Sequence, residues 1–270
     1  MWLNNPDDIK LMTRLNPFER FADGRPKVPD DILRRMRLVT VEEAWGVLKG
    51  HGYTHQYEGN WLNLHPDRVL VGRAVTAAYV HTRPDYHEVI QEWGQSLGKV
   101  GLHNSYVIDT LEENDVIVVD LFGKVKEGTF AGDNLGTAIA NRSRTGMVID
   151  GGVRDLVRLL EIPDIAIFAR GVDASGIAEV SLATFNGPIR IGNATVLPGD
   201  VVLGSISGVV FIPPHLALEV VERSERIRMQ DRWGQMRIRE GKYSSGQVDG
   251  NWTDEMHADF DDWFKDQPPV

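Results

Sequence analysis

Three carboxylates, Asp133, Asp150 and Asp155, fall within one glycine-rich stretch, GDNLGTAIANRSRTGMVIDGGVRD, which runs from Gly132 to Asp155. A carboxylate such as Asp155 is a hard oxygen ligand suited to Mg²⁺, and Arg154 beside it can grip a carboxylate through two parallel N–H bonds. Asp133 and Asp155 each fall near a predicted strand-to-helix junction, where sheet ends open clefts and helix N-termini stabilise anions. That combination suits a 2-oxo acid. A nucleotide cradle is the competing reading and fits less well. VIDGGVRD has adjacent glycines where a dinucleotide fingerprint needs Gly-x-Gly-x-x-Gly, and no Gly-x-x-x-x-Gly-Lys-Ser/Thr loop occurs. Gly151-Gly152 also suits an ordinary tight strand-to-helix turn, and Asp150 a helix cap or turn acid.

Composition narrows these options. The 270 residues are 42% hydrophobic and 25% charged, enough apolar content for one large core. A net charge of −10 disfavours a general polyanion-binding role, so nucleic acid is not an expected partner. Without cysteine, any metal must be held by oxygen or imidazole. The first residues, MWLNNPDDIKLMTRLNPF, lack a basic leader with a continuous apolar segment, and no run of about 18 apolar residues follows. The expectation is a soluble, cytoplasmic chain with no membrane partner.

The elements that would position these groups can be read in order. Residues 1–29, with four prolines and interspersed apolar residues, read as an arm packed on something, such as a neighbouring subunit. DDILRRMRLVTVEEAWGVLKGHG predicts two short helices, the second with a capping box formed by Thr40 and Glu43. RVLVGRAVTAAYVHT predicts one or two strands, RPDYHEVIQEWGQSLG a helix, and NDVIVVDLFG a buried strand opening into a loop. A helix then begins at Asp133, GMVID forms a strand, VRDLVRLLEIP a helix and DIAIFARG another strand. After Gly187 several short β segments suggest a small, partly antiparallel layer beside the α/β part. HLALEVVERSERIRMQDRW predicts a long helix with Glu222 and Arg226 spaced for mutual support. The acidic end, with Trp252, Phe260, Trp263 and Phe264 as anchors, reads as docked. The expected divisions are an arm (1–29), a main domain (30–231) and a C-terminal extension (232–270).

The same glycine-rich block, together with NDVIVVD, GRAVT and PGDVVLGSISGVVFIP, resembles the class II pyruvate-specific aldolases acting on 4-hydroxy-4-methyl-2-oxoglutarate. That family also contains the regulator of ribonuclease E activity, and some members carry the name dimethylmenaquinone methyltransferase. The resemblance spans residues 40–225. It implies an α/β fold, an α-β-β-α sandwich resembling the swivelling phosphohistidine-like fold, assembled as homotrimers or dimers of trimers. It further implies Mg²⁺ (or Mn²⁺) held by Asp155, a substrate carboxylate held by Arg154, and a water-positioning role for Asp133. Backbone amides of Gly132, Asp133, Asn134 and Leu135 would complete the pocket, with Asp150 in support. The implied reaction is metal-dependent cleavage of a 4-hydroxy-2-oxo acid to pyruvate, with oxaloacetate decarboxylation as a side activity.

Two other readings stand beside it: a noncatalytic regulator or protein-interaction module resembling the ribonuclease regulator, and a metal-dependent dehydratase or isomerase of a sugar acid. The sequence departs from the family where Ser205 and Ser207 replace acids after Pro-Gly-Asp, and where Glu43-Ala44-Trp45 replaces an Asp-Ala pair. Trp45, Trp61 and Trp93 suit core packing. Six histidines, His51, His55, His65, His81, His87 and His103, lie in the first half without a ligand-pair spacing, although two could meet in space.

Overall fold

The structure is a computed structural model describing residues 3–267. Its helices are α1 (Pro6–Met12), α2 (Asp30–Met36), α3 (Val41–Gly50), α4 (Pro84–Ser96), α5 (His103–Ile108), α6 (Asp133–Ser143), α7 (Leu156–Glu161), α8 (Ala217–Arg239), α9 (Ser245–Val248) and α10 (Asp254–Phe264). Strands β1 (Tyr57–Glu58), β2 (Leu62–Asn63), β3 (Leu70–His81), β4 (Asp115–Ala131), β5 (Gly146–Val153), β6 (Ala166–Val172) and β7 (Val180–Phe185) are followed by β8 (Ile189–Ile191), β9 (Ala194–Val196), β10 (Val201–Ser205) and β11 (Gly208–Ile212). The fold is α/β, with a mixed sheet flanked by helices.

Strands β3 to β6 are parallel neighbours, and the sheet order is β1-β11-β10-β3-β4-β5-β6-β2. One edge of β3 is shared, with β10 antiparallel to its first residues and β7 antiparallel to its last. Side chains alternate across β3: Val71, Val75, Ala77 and Tyr79 face helices, while Leu70, Ala74 and Ala78 face an apolar interior. That interior also receives Val148, Phe168, Val202 and Phe211. A Cβ at Gly204 on β10 would stand 3.0 Å from the Phe168 ring on β6, four strands away, so the sheet curls onto itself. Two β layers thus face one another, with α2, α3 and α8 outside one and α4 to α7 outside the other. This is the α-β-β-α layering.

Side-chain caps mark the starts of α1, α3, α9 and α10. Thr40 and Glu43 form the capping box of α3 through reciprocal backbone bonds of 3.1 and 2.8 Å. Three expectations need correction. Gly151 and Gly152 do not turn; they lie inside β5, where a Cβ would stand 2.8 Å from Leu121 Cβ or Val125 O of the bulged β4. The segments after Gly187 do not form one separate layer, because β10 and β11 join the main sheet and β8 and β9 alone pair apart. On α8 the ion pair formed is Glu219–Arg223 rather than Glu222–Arg226.

The arm packs on its own chain, where Arg25 is buried against Asp115 at the start of β4. The C-terminal segment docks on α8 through Trp233, Trp252, Met256 and Phe260. No helix among the described residues is long and apolar enough to cross a membrane.

Candidate functional site

Parallel strands β4 and β5 end side by side, which brings the loop before α6 against the loop before α7. Arg154 N–H donates to Ala131 O at 3.1 Å and fixes this approach. Glycine at 132 leaves room at the contact: a Cβ there would displace the Asp155 carboxylate and stand 3.0 Å from Arg154 Nε. Asp155 holds a left-handed backbone (φ 55°), which aspartate tolerates better than most residues, and its carbonyl accepts from Arg158 and Leu159 to start α7.

The resulting pocket, about 190 Å³, is lined by Gly132, Asp133, Asn134, Leu135 and Arg154 from these loops, and by Leu102 and Ile177 opposite. The sequence-predicted residues Gly132 to Leu135 and Arg154 therefore share one pocket, while Asp155 lies beside Arg154 without lining it. At the mouth of α6 the first amides have no intrahelical acceptor, although Asn134 N–H is taken by Asp133 Oδ1 at 2.9 Å. Such a cleft can accept a carboxylate.

Each acid has its own arginine. Asp133 Oδ2 accepts from Arg158 Nη1 at 2.8 Å, and this bond, then that from Asn134, holds its carboxyl below the usual range. Asp155 Oδ2 lies 3.5 Å from Arg154 Nε. Asp150 occupies the other face of β5, the face of Val148, and accepts from Arg170 Nε at 2.6 Å. Arg170 is also bonded to Glu58 and stacked 3.8 Å above Trp61.

The expected Mg²⁺ or Mn²⁺ centre requires correction. Among the described residues, no group of three or more His, Cys, Asp or Glu side chains is placed to hold a metal ion. The expected ligand, Asp155, lies with Oδ2 3.5 Å from Arg154 Nε; Asp133, expected to position water, is taken by Arg158 at 2.8 Å, and Asp150, expected in support, is turned to the opposite face. With no such group among the described residues, the expectation of a metal-dependent aldolase is not supported.

The serines that depart from the family pattern serve a turn. Ser205 pairs with Gly208 across the β10–β11 hairpin, and Ser207 N–H donates to Ser205 Oγ at 3.2 Å. Neither lines the Arg154 pocket. Of the tryptophans, Trp61 and Trp93 pack on Phe168 and Tyr106, whereas Trp45 is partly exposed beneath Lys49. Sequence reasoning misses Arg158, whose pairing with Asp133 depends on the meeting of two helix starts. It also leaves open which histidines meet: the His87 and His103 rings lie 4.6 Å apart.

Comparison with known proteins places this geometry. The chain is 29% identical over 117 residues to a Halalkalibacterium halodurans protein named as a candidate 4-hydroxy-4-methyl-2-oxoglutarate aldolase, covering 43% of this chain and 55% of that one. It is 31% identical over 125 residues to protein DlpA of Legionella pneumophila, covering 46% of this chain and 20% of that one. The chain thus spans about half the length, or less, of these curated relatives. Among solved structures, a Streptomyces coelicolor protein described as an unusual member of the RNase ES inhibitor RraA family superposes with a TM-score of 0.66 at 22% identity, over 78% of this chain and all of that one. An uncharacterized Pseudomonas syringae protein gives 0.69 at 24% identity, over 86% and 96%. These two likenesses establish the fold. The profile of the RraA-like family (Aldolase/RraA) matches residues 38–211, and the chain belongs to that family.

Proposed function

We propose that this chain is a noncatalytic regulator that works by docking on a partner protein through the helical layer around Arg154. The observation that carries the reading is that Arg158 takes the Asp133 carboxylate at 2.8 Å and that no group of three metal-ligating side chains is placed among the described residues, Asp155 lying 3.5 Å from Arg154. Support comes from the surrounding surface. Val157 on α7 is 74% exposed and Leu102 before α5 is 60% exposed, with Leu97, Val100 and Leu160 also open along α4 to α7. Apolar side chains beside a charged pocket are the composition of a docking surface.

An endoribonuclease of the RNase ES type is the first candidate partner, given the description of the Streptomyces structure. The test is cleavage of an RNA substrate by such an enzyme with increasing amounts of the purified chain. Wild type is expected to inhibit at stoichiometric ratios, and Val157→Glu with Leu160→Glu to raise the half-inhibitory concentration at least about tenfold, the scale of losing one or two apolar interface anchors. Undiminished cleavage at excess wild-type protein, with no complex by light scattering, overturns the assignment of this partner. Self-association as a trimer or dimer of trimers is the second reading for the same apolar surface. A fall in mass of the glutamate variant relative to wild type would identify it.

A further inference from the structure

Three aspartates are buried among the described residues. Asp115 meets Arg25 at 2.8 Å and Asp150 meets Arg170 at 2.6 Å, whereas Asp200, 3% exposed, has no described cation at ion-pair distance. A buried carboxylate without a cation is costly. Asp200 lines a cavity of about 300 Å³ between the N-terminal arm and the turn that follows β11. Its backbone N–H and carbonyl are both engaged, by Leu197 O at 3.1 Å and Ala74 N–H at 2.8 Å, so the polar group it presents to the space is the carboxylate. Oδ2 accepts from Leu197 N–H at 2.8 Å, and no described residue donates to Oδ1. Oδ1 is not among the unpartnered side-chain atoms sealed from solvent, so it opens on the cavity. The space exceeds the roughly 10–15 Å³ that a single water needs, so a small organic molecule can enter.

The rest of the lining selects the occupant. Met12, Leu15, Leu197 and Pro213 make one wall apolar. Gln56 donates through Nε2 to Thr195 O at 3.2 Å and Phe211 O at 3.1 Å, which leaves its Oε1 as a further acceptor. Tyr53 Oη and His215 Nε2 engage one another at 3.3 Å, and burial, then His51, lowers the His215 pKa, so this ring is neutral near pH 7. No lysine or arginine lines the space. A single unpaired carboxylate suits a single ammonium. A free amino acid would bring a carboxylate with no cation to meet it, and a diamine a second ammonium with no acid.

We propose that this cavity binds a small organic monoamine, with its ammonium paired to Asp200 and its apolar body against Met12, Leu15, Leu197 and Pro213. The cavity shares no lining residue with the Arg154 pocket, so binding here is independent of whether a ribonuclease is the partner.

The test is calorimetric titration of the full chain at pH 8 with 2-phenylethylamine and 3-methylbutylamine, with 2-phenylethanol as the uncharged control and free phenylalanine as the zwitterionic one. Saturable one-to-one binding of an amine is expected, with the alcohol and the amino acid at least about tenfold weaker, the scale of a lost buried charge pair. Asp200→Asn keeps the acceptor for Leu197 N–H and should fold. It should bind the amine at least about tenfold more weakly and the alcohol as wild type does. The amine should also raise the Tm of wild type and leave that of the variant unmoved. Absence of saturable binding by both amines, an alcohol bound as tightly as its amine, or equal amine binding by Asp200→Asn would overturn the proposal.

Discussion

Replacing Arg25 by methionine is expected to lower the unfolding free energy by about 3–5 kcal/mol, the cost of leaving a buried carboxylate without its cation. Arg25 is 1% exposed and Asp115 fully buried, joined by bonds of 2.8 and 3.2 Å, while Asp23 holds Arg25 Nε at 2.7 Å. Burial works against the guanidinium charge, but the charges and hydrogen bonds of Asp115 and Asp23 outweigh it and raise the Arg25 pKa. Burial already holds the Asp115 carboxyl above its usual range, with Arg25 opposing the shift, and in the variant the loss of that opposition moves its folded-state pKa further above the unfolded value. The folded state then binds more protons than the unfolded state, and the deficit should shrink as pH falls toward 4. Urea midpoints at pH 8 and pH 4.5 check both statements. A deficit below about 1 kcal/mol at pH 8 would mean that the arm is not anchored through this pair.

The second large effect has the opposite sign. Asp200 precedes β10, is buried at the wall of a cavity, and among the described residues its carboxylate accepts from Leu197 N–H at 2.8 Å; burial pushes its carboxyl up to about 7. Because the folded-state pKa is raised, the folded chain retains a proton that the unfolded chain releases above about 4, and wild type loses stability as pH rises through this window to 7. Asp200→Asn keeps the acceptor for Leu197 and removes the ionisation. At pH 8 the variant is expected to be more stable by up to about 4 kcal/mol, since each tenfold change in proton affinity between the two states corresponds to about 1.4 kcal/mol. The gain should fall toward zero near pH 4. Thermal unfolding of both proteins across pH 4 to 8 reads the difference directly, and a variant less stable than wild type at pH 8 would refute the burial argument.

These two residues show what a sequence can and cannot convey. The capping box at Thr40 and Glu43, the start of α6 at Asp133 and the strand in GMVID are local patterns, legible from the order of residues alone. Gly132, Asp133, Arg154 and Asp155 are also legible as one site, because they follow adjacent parallel strands. The pairing of Arg25 with Asp115 joins residues 90 positions apart, and no local pattern marks it. Gly151 and Gly152 read as a turn because glycine is common in turns, whereas their role is to admit the bulged β4 from across the sheet. The expected metal ligand, Asp155, follows from the family resemblance, whereas Arg158, 25 residues from Asp133, reaches that acid only because α6 and α7 begin side by side. The His87–His103 contact needs α4 and α5 to cross over β7.

On the proposed reading, the acids around Arg154 serve recognition rather than catalysis. Its most direct test is pyruvate release from a panel of 4-hydroxy-2-oxo acids and oxaloacetate by the purified chain, with Mg²⁺ or Mn²⁺ and with EDTA. The expected result is no release above the protein-free rate under either condition, together with stoichiometric inhibition of the endoribonuclease by the same preparation. Metal-dependent pyruvate release that disappears in Asp155→Ala would contradict a noncatalytic role.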